Sequence, residues 1–398
     1  MANEAQVFGL PQIIINFRTR STTAIARSAR GIVAMILKNE ETNASKFYRI
    51  ADVTDIPDKG LTDENVTLIK KCLAGTPLRI LLYTLPQDDV PVDTMNGETL
   101  LNQADILKKL HNIKWNYICN PTGSTQDQAD LADWVKSERN IKRKTFKAVV
   151  ANYDADDKGV INFTTGNIRC VNPLYTDALL EADGDASQIP GSIPQYLTYT
   201  AAEYTSRIAG ILAGLSLDRS ATYYELSEVV DCDSYEDIDG CINNGELCLI
   251  DELDGNGVKI ARACNSLHTF TTDVGQDFRY IKIIEAVDMI HDDIRDTFRN
   301  DYVGKVINDY NHKMLFIAAV GVYFNGIKGN VLDPSETAQN YVDIDEAAQK
   351  DYAILHGEDV SEMTVQQIRE YNTGTKVFLT GRITPVNAME DLKIDFVM

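Results

Sequence analysis

Between Arg79 and Ala151 short apolar runs alternate with amphipathic stretches, and this alternation restricts the possible fold more than any other feature of the chain. Arg79 to Leu85, Trp115 to Cys119 and Thr145 to Ala151 have the length and composition of strands, and Gly97 to Leu110 and Thr125 to Glu138 predict helices between them. Strands separated by helices lie parallel in one sheet, because a helical crossover returns the chain to the edge where it started, and the helices then cover the faces. Gly31 to Leu37, apolar without alternation, predicts a further strand buried on both sides. The expected class is α/β, a mostly parallel sheet flanked by helices.

Around this centre the pattern is more varied. Val66, Ile69 and Leu73 predict a short helix from Asp63 to Leu73, ended by Gly75-Thr76-Pro77. Residues 170–194 read as a long polar loop. Ala201, Tyr204, Ile208, Ile211 (or Leu212) and Leu215 recur at helical spacing, and Ala202, Ala209, Gly210, Ala213 and Gly214 let that helix approach a sheet closely. Glu246 to Leu253 and Val258 to Ala263 predict a hairpin around Asp254-Gly255-Asn256-Gly257. The last third predicts an α+β region. There Ile283, Val287, Ile290, Ile294 and Phe298 form an apolar stripe, with Asp288, Asp292, Arg295 and Arg299 facing elsewhere. Met314 to Phe324 is apolar nearly all round and predicts a buried helix, and the acidic stretch from Asp333 to about Tyr371 is helical in part. The expected domains are an N-terminal arm and first strand over 1–30, an α/β domain over 31–265 and a C-terminal domain over 266–398.

Both ends read as strands with no partner in sight. Ile13, Ile14, Ile15 and Phe17 form a short apolar run followed by the polar Arg18 to Thr23. In the last stretch Val377, Leu379 and Ile383 alternate, then Leu392, Ile394 and Phe396, with Pro385 and Asn387 supplying turn chemistry between them. The second of these strands is expected to keep an uncovered edge, which invites pairing with another chain because its backbone groups lack partners.

The composition narrows the chemistry. A net charge of −21 repels nucleic acid and anionic membranes, so neither is an expected partner. No apolar run approaches the ~20 residues that cross a bilayer, and no signal peptide is recognisable, so the expected product is soluble and made in a cytoplasm. Seven cysteines without a Cys-x-x-Cys pair fit reduced thiols. Gly214-Leu215-Ser216-Leu217-Asp218 approaches a nucleophile elbow but follows a helix where a strand is needed. Gly321 to Gly326 has phosphate-loop spacing with Ile327 where Lys is required, and Asp154 to Gly159 places Lys158 at a calcium-ligand position. The five histidines, 111, 268, 291, 312 and 356, show no metal-binding pair. No catalytic residue, cofactor or metal site is expected. The rival reading is a cytosolic α/β enzyme, nucleotide-using or hydrolytic.

Several stretches spread in order along the chain carry a resemblance. Ile14-Ile15-Asn16-Phe17 with Ala29 to Met35, Leu197-Thr198-Tyr199 through Gly214, Asn300 to Asn308, and above all Thr384-Pro385-Val386-Asn387-Ala388-Met389-Glu390-Asp391-Leu392 resemble contractile phage tail sheath proteins. The likeness is to the compact sheaths of Gram-positive phages and phage-tail-like bacteriocins. It implies a subtilisin-like topology without the protease triad, followed by a C-terminal sheath domain with extended terminal strands. Larger relatives carry an inserted β-sandwich after the strand at 79–85, where this chain has only Pro86 to Asp93. The implied function is a structural subunit that polymerises helically around an inner tail tube and contracts to drive it through a cell envelope. Implied partners are further copies of the chain, the inner tube protein, and baseplate and tail terminator proteins. The resemblance assigns strand addition between subunits to Ile13, Ile14, Ile15, Phe17, Leu392, Ile394, Phe396 and Val397. It also implies a tube-facing surface in the C-terminal region, whose cations are Arg295, Arg299, Lys305 and Lys313. The implied place is the virion tail or a phage-tail-like particle.

Overall fold

The computed structural model describes residues 30–39, 45–86, 101–251 and 257–397. The chain divides into two compact bodies. Of the described residues, the larger holds those up to Asp296, Ile327–Gln339 and those from Ile383 onward, and the smaller holds Thr297–Gly326 and Asn340–Arg382. The boundary expected at 265–266 lies inside the larger body, and the last residues belong to it as well.

The larger body is built on β1 (Ile32–Lys38), β2 (Phe47–Ile50), β3 (Arg79–Leu85), β4 (Tyr117–Cys119), β5 (Lys147–Ala151) and β6 (Val160–Phe163), with α1 (Asp63–Leu73), α2 (Gln103–Leu110) and α3 (Thr125–Lys142) between them. Next come β7 (Ile168–Val171), α4 (Pro173–Glu181), β8 (Tyr196–Tyr199), α5 (Ala201–Gly214), β9 (Val229–Asp231) and α6 (Ile238–Asn243). β10 (Glu246–Leu247) completes a seven-stranded sheet in the order β10-β6-β5-β4-β1-β3-β2. Every neighbouring pair is parallel except β2 with β3. β8, β7 and β9 form a separate antiparallel sheet.

Successive residues of the main strands serve opposite faces, as the pleat requires. Val33, Met35 and Leu37 of β1 join Leu68, Ile69 and Cys72 of α1 and Tyr204, Ile208 and Ile211 of α5 in one core. Ile32, Ala34 and Ile36 join Ile106, Leu107 and Leu110 of α2 and Leu131, Ala132 and Val135 of α3 in the other. The expected parallel sheet between two helical layers is therefore present. The helix starts follow from side-chain caps. Thr62, Ser124 and Thr200 each accept a hydrogen bond from the backbone N–H three residues on, and the last two complete capping boxes with Asp127 and Glu203.

Three expectations change. The stretch 170–194 is not a plain loop: Asn172 caps α4, with Pro173 in its first turn, so the Asn-Pro pair that reads as a turn starts a helix. The hairpin is split at Cys248, with Glu246–Leu247 in the main sheet and β11 (Leu249–Asp251) pairing antiparallel with β12 (Val258–Ile260). Most of its turn, and the segment from Gln87 to Asp93, lie outside the described residues. Of the small residues of α5, Ala209 lies in the core that the helix shares with the sheet, as expected, while Gly210 and Gly214 serve a contact with another helix. A Cβ on Gly210 would lie 2.1 Å from the Cys72 carbonyl oxygen at the end of α1, and one on Gly214 would lie 1.9 Å from the Gly75 carbonyl oxygen.

α7 (Ile281–Thr297) closes the larger body's main run. In the smaller body, a π turn over Phe298–Tyr302 leads to α8 (Tyr310–Ile327), and β13 (Tyr341–Ile344) pairs antiparallel with β14 (Leu379–Arg382). Between these strands run α9 (Glu346–Leu355) and α10 (Val365–Glu370). Phe298 and Tyr302 stack with nearly parallel rings and Phe316 meets both edge to face, and Arg369 bridges Asp343 and Glu346. α8 is not buried all round, since Leu315 and Val322 are exposed. The strand expected over Leu392–Phe396 is not formed; these residues have no ladder partner among the described residues.

Gly210→Ala tests the α1–α5 contact. In an ordinary helix this change gains ~0.5–1 kcal/mol. Here the added methyl meets backbone that cannot move aside, and the expected result is a loss of about 1–3 kcal/mol on thermal or urea unfolding. A gain in stability would show that the helices can separate freely.

Candidate assembly site

α7 is fastened by charge. Glu285, Asp288, Asp292 and Asp296 fall at intervals of three and four residues, so they share one side of the helix. Glu285 pairs with Arg30, accepts from the Tyr117 hydroxyl at 2.6 Å and meets Lys147 Nζ at 2.7 Å. Asp288 receives both terminal nitrogens of Arg139 at 2.9 and 3.0 Å and Lys147 Nζ at 3.0 Å. Asp292 accepts from the Thr145 hydroxyl at 2.8 Å, and Asp296 meets Lys114 at 3.0 Å. Tyr117 opens β4, Lys147 opens β5 and Arg30 precedes β1, so these partners stand at the start of adjacent parallel strands. The Lys147 side chain is 1% exposed and that of Arg139 6%, so the carboxylates of α7 replace the water these cations have lost. Burial alone would raise the Glu285 carboxyl, but Lys147 and Arg30 outweigh it and hold it well below the usual carboxylate range. Burial likewise opposes Asp292, whose hydrogen bonds from His291 and Thr145 and whose cationic neighbours bring it down to about 2.

A second set of contacts lays the segment from Ile383 to Asp391 along the larger body as a strap. The Asp333 N–H donates to the Thr384 carbonyl, and the Val386 N–H donates to the Val331 carbonyl. Lys282 of α7 donates to the Val386 carbonyl at 2.7 Å. Glu390, its side chain 6% exposed, accepts from the hydroxyls of Ser220 and Thr222 at 2.9 and 2.8 Å, and Arg262 reaches both Glu390 and Asp391. Beyond that clamp Leu392, Ile394, Phe396 and Val397 are 57–98% exposed.

The remaining expected residues fall as follows. Ile13, Ile14, Ile15 and Phe17 lie outside the described residues. Arg295, in the larger body, pairs with Asp292 and Asp296. Arg299 and Lys305 are exposed on the smaller body, Lys305 donating to the Asn300 carbonyl. Lys313 is buried there, donating to Gln349 at 2.7 Å and Thr373 at 3.2 Å, and burial lowers its pKa. The sequence reading missed Glu285, Lys147, Arg139, Arg262 and the role of Glu390. The acidic spacing on α7 was a readable signal, but Arg30, Lys114, Arg139 and Lys147, which meet it, are more than a hundred residues away.

The near-miss Ser216 borders a cavity of about 440 Å³ in the larger body, lined also by Arg30, Tyr117, Lys282 and Glu285. None of the five histidines lines it. No group of three or more metal-ligating side chains occurs among the described residues.

Comparison with known proteins gives the family. The family model for the phage tail sheath protein central domain matches residues 97–266, and that for the phage tail sheath C-terminal domain matches residues 273–333. The tail sheath protein of Clostridium phage phiCD119 is 32% identical over 97% of this chain and 98% of its own length. The Bacillus subtilis phage-like element PBSX protein XkdK is 27% identical over 65% of this chain and 50% of its own. Among solved structures, a sheath tail protein from Desulfitobacterium hafniense superposes with a TM-score of 0.62 at 20% identity, covering 84% of this chain and 94% of that one. The anti-feeding prophage baseplate contains a chain with a TM-score of 0.60 at 12% identity, covering 98% and 99%. The chain belongs to the phage tail sheath protein family and is a structural subunit of the tail.

The charged seam predicts the acid response. Groups whose folded pKa is depressed add stability that is complete above their ordinary values, 4.5 for Glu285 and 3.8 for Asp292, and that is lost as pH falls through the folded values. Thermal melts should therefore drop steadily from about pH 4.5 to about pH 2, and Glu285→Gln should flatten part of that slope. A melting temperature constant over this range would mean that the seam has no linkage to folding.

Proposed function

We propose that this subunit polymerises helically around an inner tail tube and contracts irreversibly to drive the tube through a target envelope, with its terminal segments tethering it to neighbouring copies. The observation that carries the reading is the change at Glu390, where a strap fixed to the body gives way to Leu392, Ile394, Phe396 and Val397, all exposed. An apolar segment that alternates in sequence and has no ladder partner among the described residues is suited to adding as a strand to a second copy. About six residues contribute a handful of hydrogen bonds at ~0.5–1.5 kcal/mol each, together with apolar burial. Ile13, Ile14, Ile15 and Phe17 would serve as the opposite tether. The same reading includes a subtilisin-like arrangement of the parallel sheet, synthesis in the bacterial host cytoplasm, and baseplate and terminator proteins at the ends of the polymer.

The tube-facing part of the reading rests on Arg299 and Lys305, exposed cations in a chain of net charge −21. Lys313 is buried in the smaller body, and Arg295 lies in the larger one beside Asp292 and Asp296. Exposed charge contacts are screened within ~8–10 Å at physiological salt, so attachment to the tube should weaken as salt rises.

Two experiments follow. A chain ending at Asp391 should keep the circular dichroism and melting behaviour of the full chain and form no tubes by negative-stain microscopy; tubes of normal length would remove the tether. Arg299→Glu with Lys305→Glu should form sheath normally and lose co-assembly with the cognate tube protein. Unchanged co-assembly would place the tube contact elsewhere.

A further inference from the structure

Two lysines near the α7 seam are withdrawn from water, and only one of them is neutralised. Lys147 has the carboxylates of Glu285 and Asp288 at 2.7 and 3.0 Å. Lys282, 7% exposed, donates to the uncharged Val386 carbonyl and forms no ion pair among the described residues. Exposed Asp218 favours its charged form from beyond ion-pair distance, but burial is the larger effect and lowers the lysine's pKa. Arg30 is also incompletely matched. One of its terminal nitrogens meets Glu285, and the other, Nη1, is buried without a hydrogen-bond partner among the described residues.

Both groups line the cavity of about 440 Å³, together with exposed Arg219. Against these three cations the described lining has one carboxylate, Glu285, which is already held by Lys147 and the Tyr117 hydroxyl. A buried cation left without an anion is costly, and a buried donor without an acceptor adds to that cost. The rest of the wall is largely apolar, with Leu78, Leu212, Leu215 and Ile281. An inorganic anion would satisfy the cations and leave this wall wet, and an uncharged hydrocarbon would do the reverse. A cavity of this volume is in the range that encloses small organic ligands.

We propose that the cavity binds a small organic acid, its carboxylate held by Lys282 and Arg30 Nη1 and its hydrocarbon part against Leu78, Leu212, Leu215 and Ile281. The lining is drawn from the entry to β1, the stretch after α1, the end of α5 and the start of α7, so the bound acid ties four segments together. Every lining residue named belongs to the larger body, and the site is independent of the tether reading.

The probe is octanoate, titrated calorimetrically into the free full-length subunit, with 1-octanol and inorganic phosphate as comparisons. Octanoate should bind at one per chain and raise the melting temperature, because it binds the folded state alone. Octanol lacks the charge and phosphate lacks the hydrocarbon, so each should bind at least about ten-fold more weakly. Lys282→Met should weaken octanoate by about ten-fold, and Lys282→Arg should keep most of the affinity. Arg219→Glu, which reverses a charge at an exposed position of the lining, should also weaken it and serves as the test should Lys282→Met fail to fold. The absence of saturable octanoate binding, or equal affinity for octanol or for phosphate, would overturn the site. So would unchanged octanoate affinity in folded Lys282→Met, or in Arg219→Glu where it takes that variant's place.

Discussion

A lysine ammonium with almost no access to water must be surrounded by negative charge, and Lys147 is in that position at the start of β5. Glu285 and Asp288 supply the charge, and they reach it only if α7 lies against the starts of β4 and β5 with its acidic side inward. Exposed ion pairs contribute little, but removing one member of a buried set leaves an uncompensated charge at a cost of about 3–5 kcal/mol. The seam therefore fixes where α7 sits more strictly than apolar packing would, because apolar side chains tolerate small slips and a two-point Arg139–Asp288 contact does not.

Much of the larger body follows from that placement. With α7 fixed, Lys282 meets the strap at Val386 and Glu285 meets Arg30 at the entry to β1. On one face of the sheet, the backbone contact of Gly210 and Gly214 with the end of α1 makes the layer thin and stiff. On the proposed reading, the subunit carries force between neighbours while its own core stays folded. A parallel sheet buried on both faces, with its attachments in buried charge contacts, meets that requirement.

The central sheet was legible because its signal is local: apolar runs of strand length separated by helical periodicity leave little choice of topology. The capped helices at Thr62, Ser124 and Thr200 were legible for the same reason. What could not be read depended on residues far apart. The apolar stripe expected on α7 is real at Ile283 and Ile290, but Asp288 and Asp292, expected to face elsewhere, are buried because cations and a hydroxyl from residues 139–147 come to meet them. Lys313 reads as a surface cation until Gln349 and Thr373 close over it. The alternation at Leu392, Ile394 and Phe396 is a strand pattern with no strand to join among the described residues, and sequence periodicity reports the side-chain pattern, not the partner.

The central claim is that the segment beyond Glu390 serves another copy of the chain while the strap before it stays on its own body. The most direct measurement is a cryo-electron microscopy map of assembled tubes at side-chain resolution. The account predicts residues 392–397 hydrogen-bonded as an added strand on a neighbouring subunit, with Glu390 still held by Ser220, Thr222 and Arg262. It is contradicted if those residues fold back against their own subunit, or if the Glu390 clamp is open in the assembled tube.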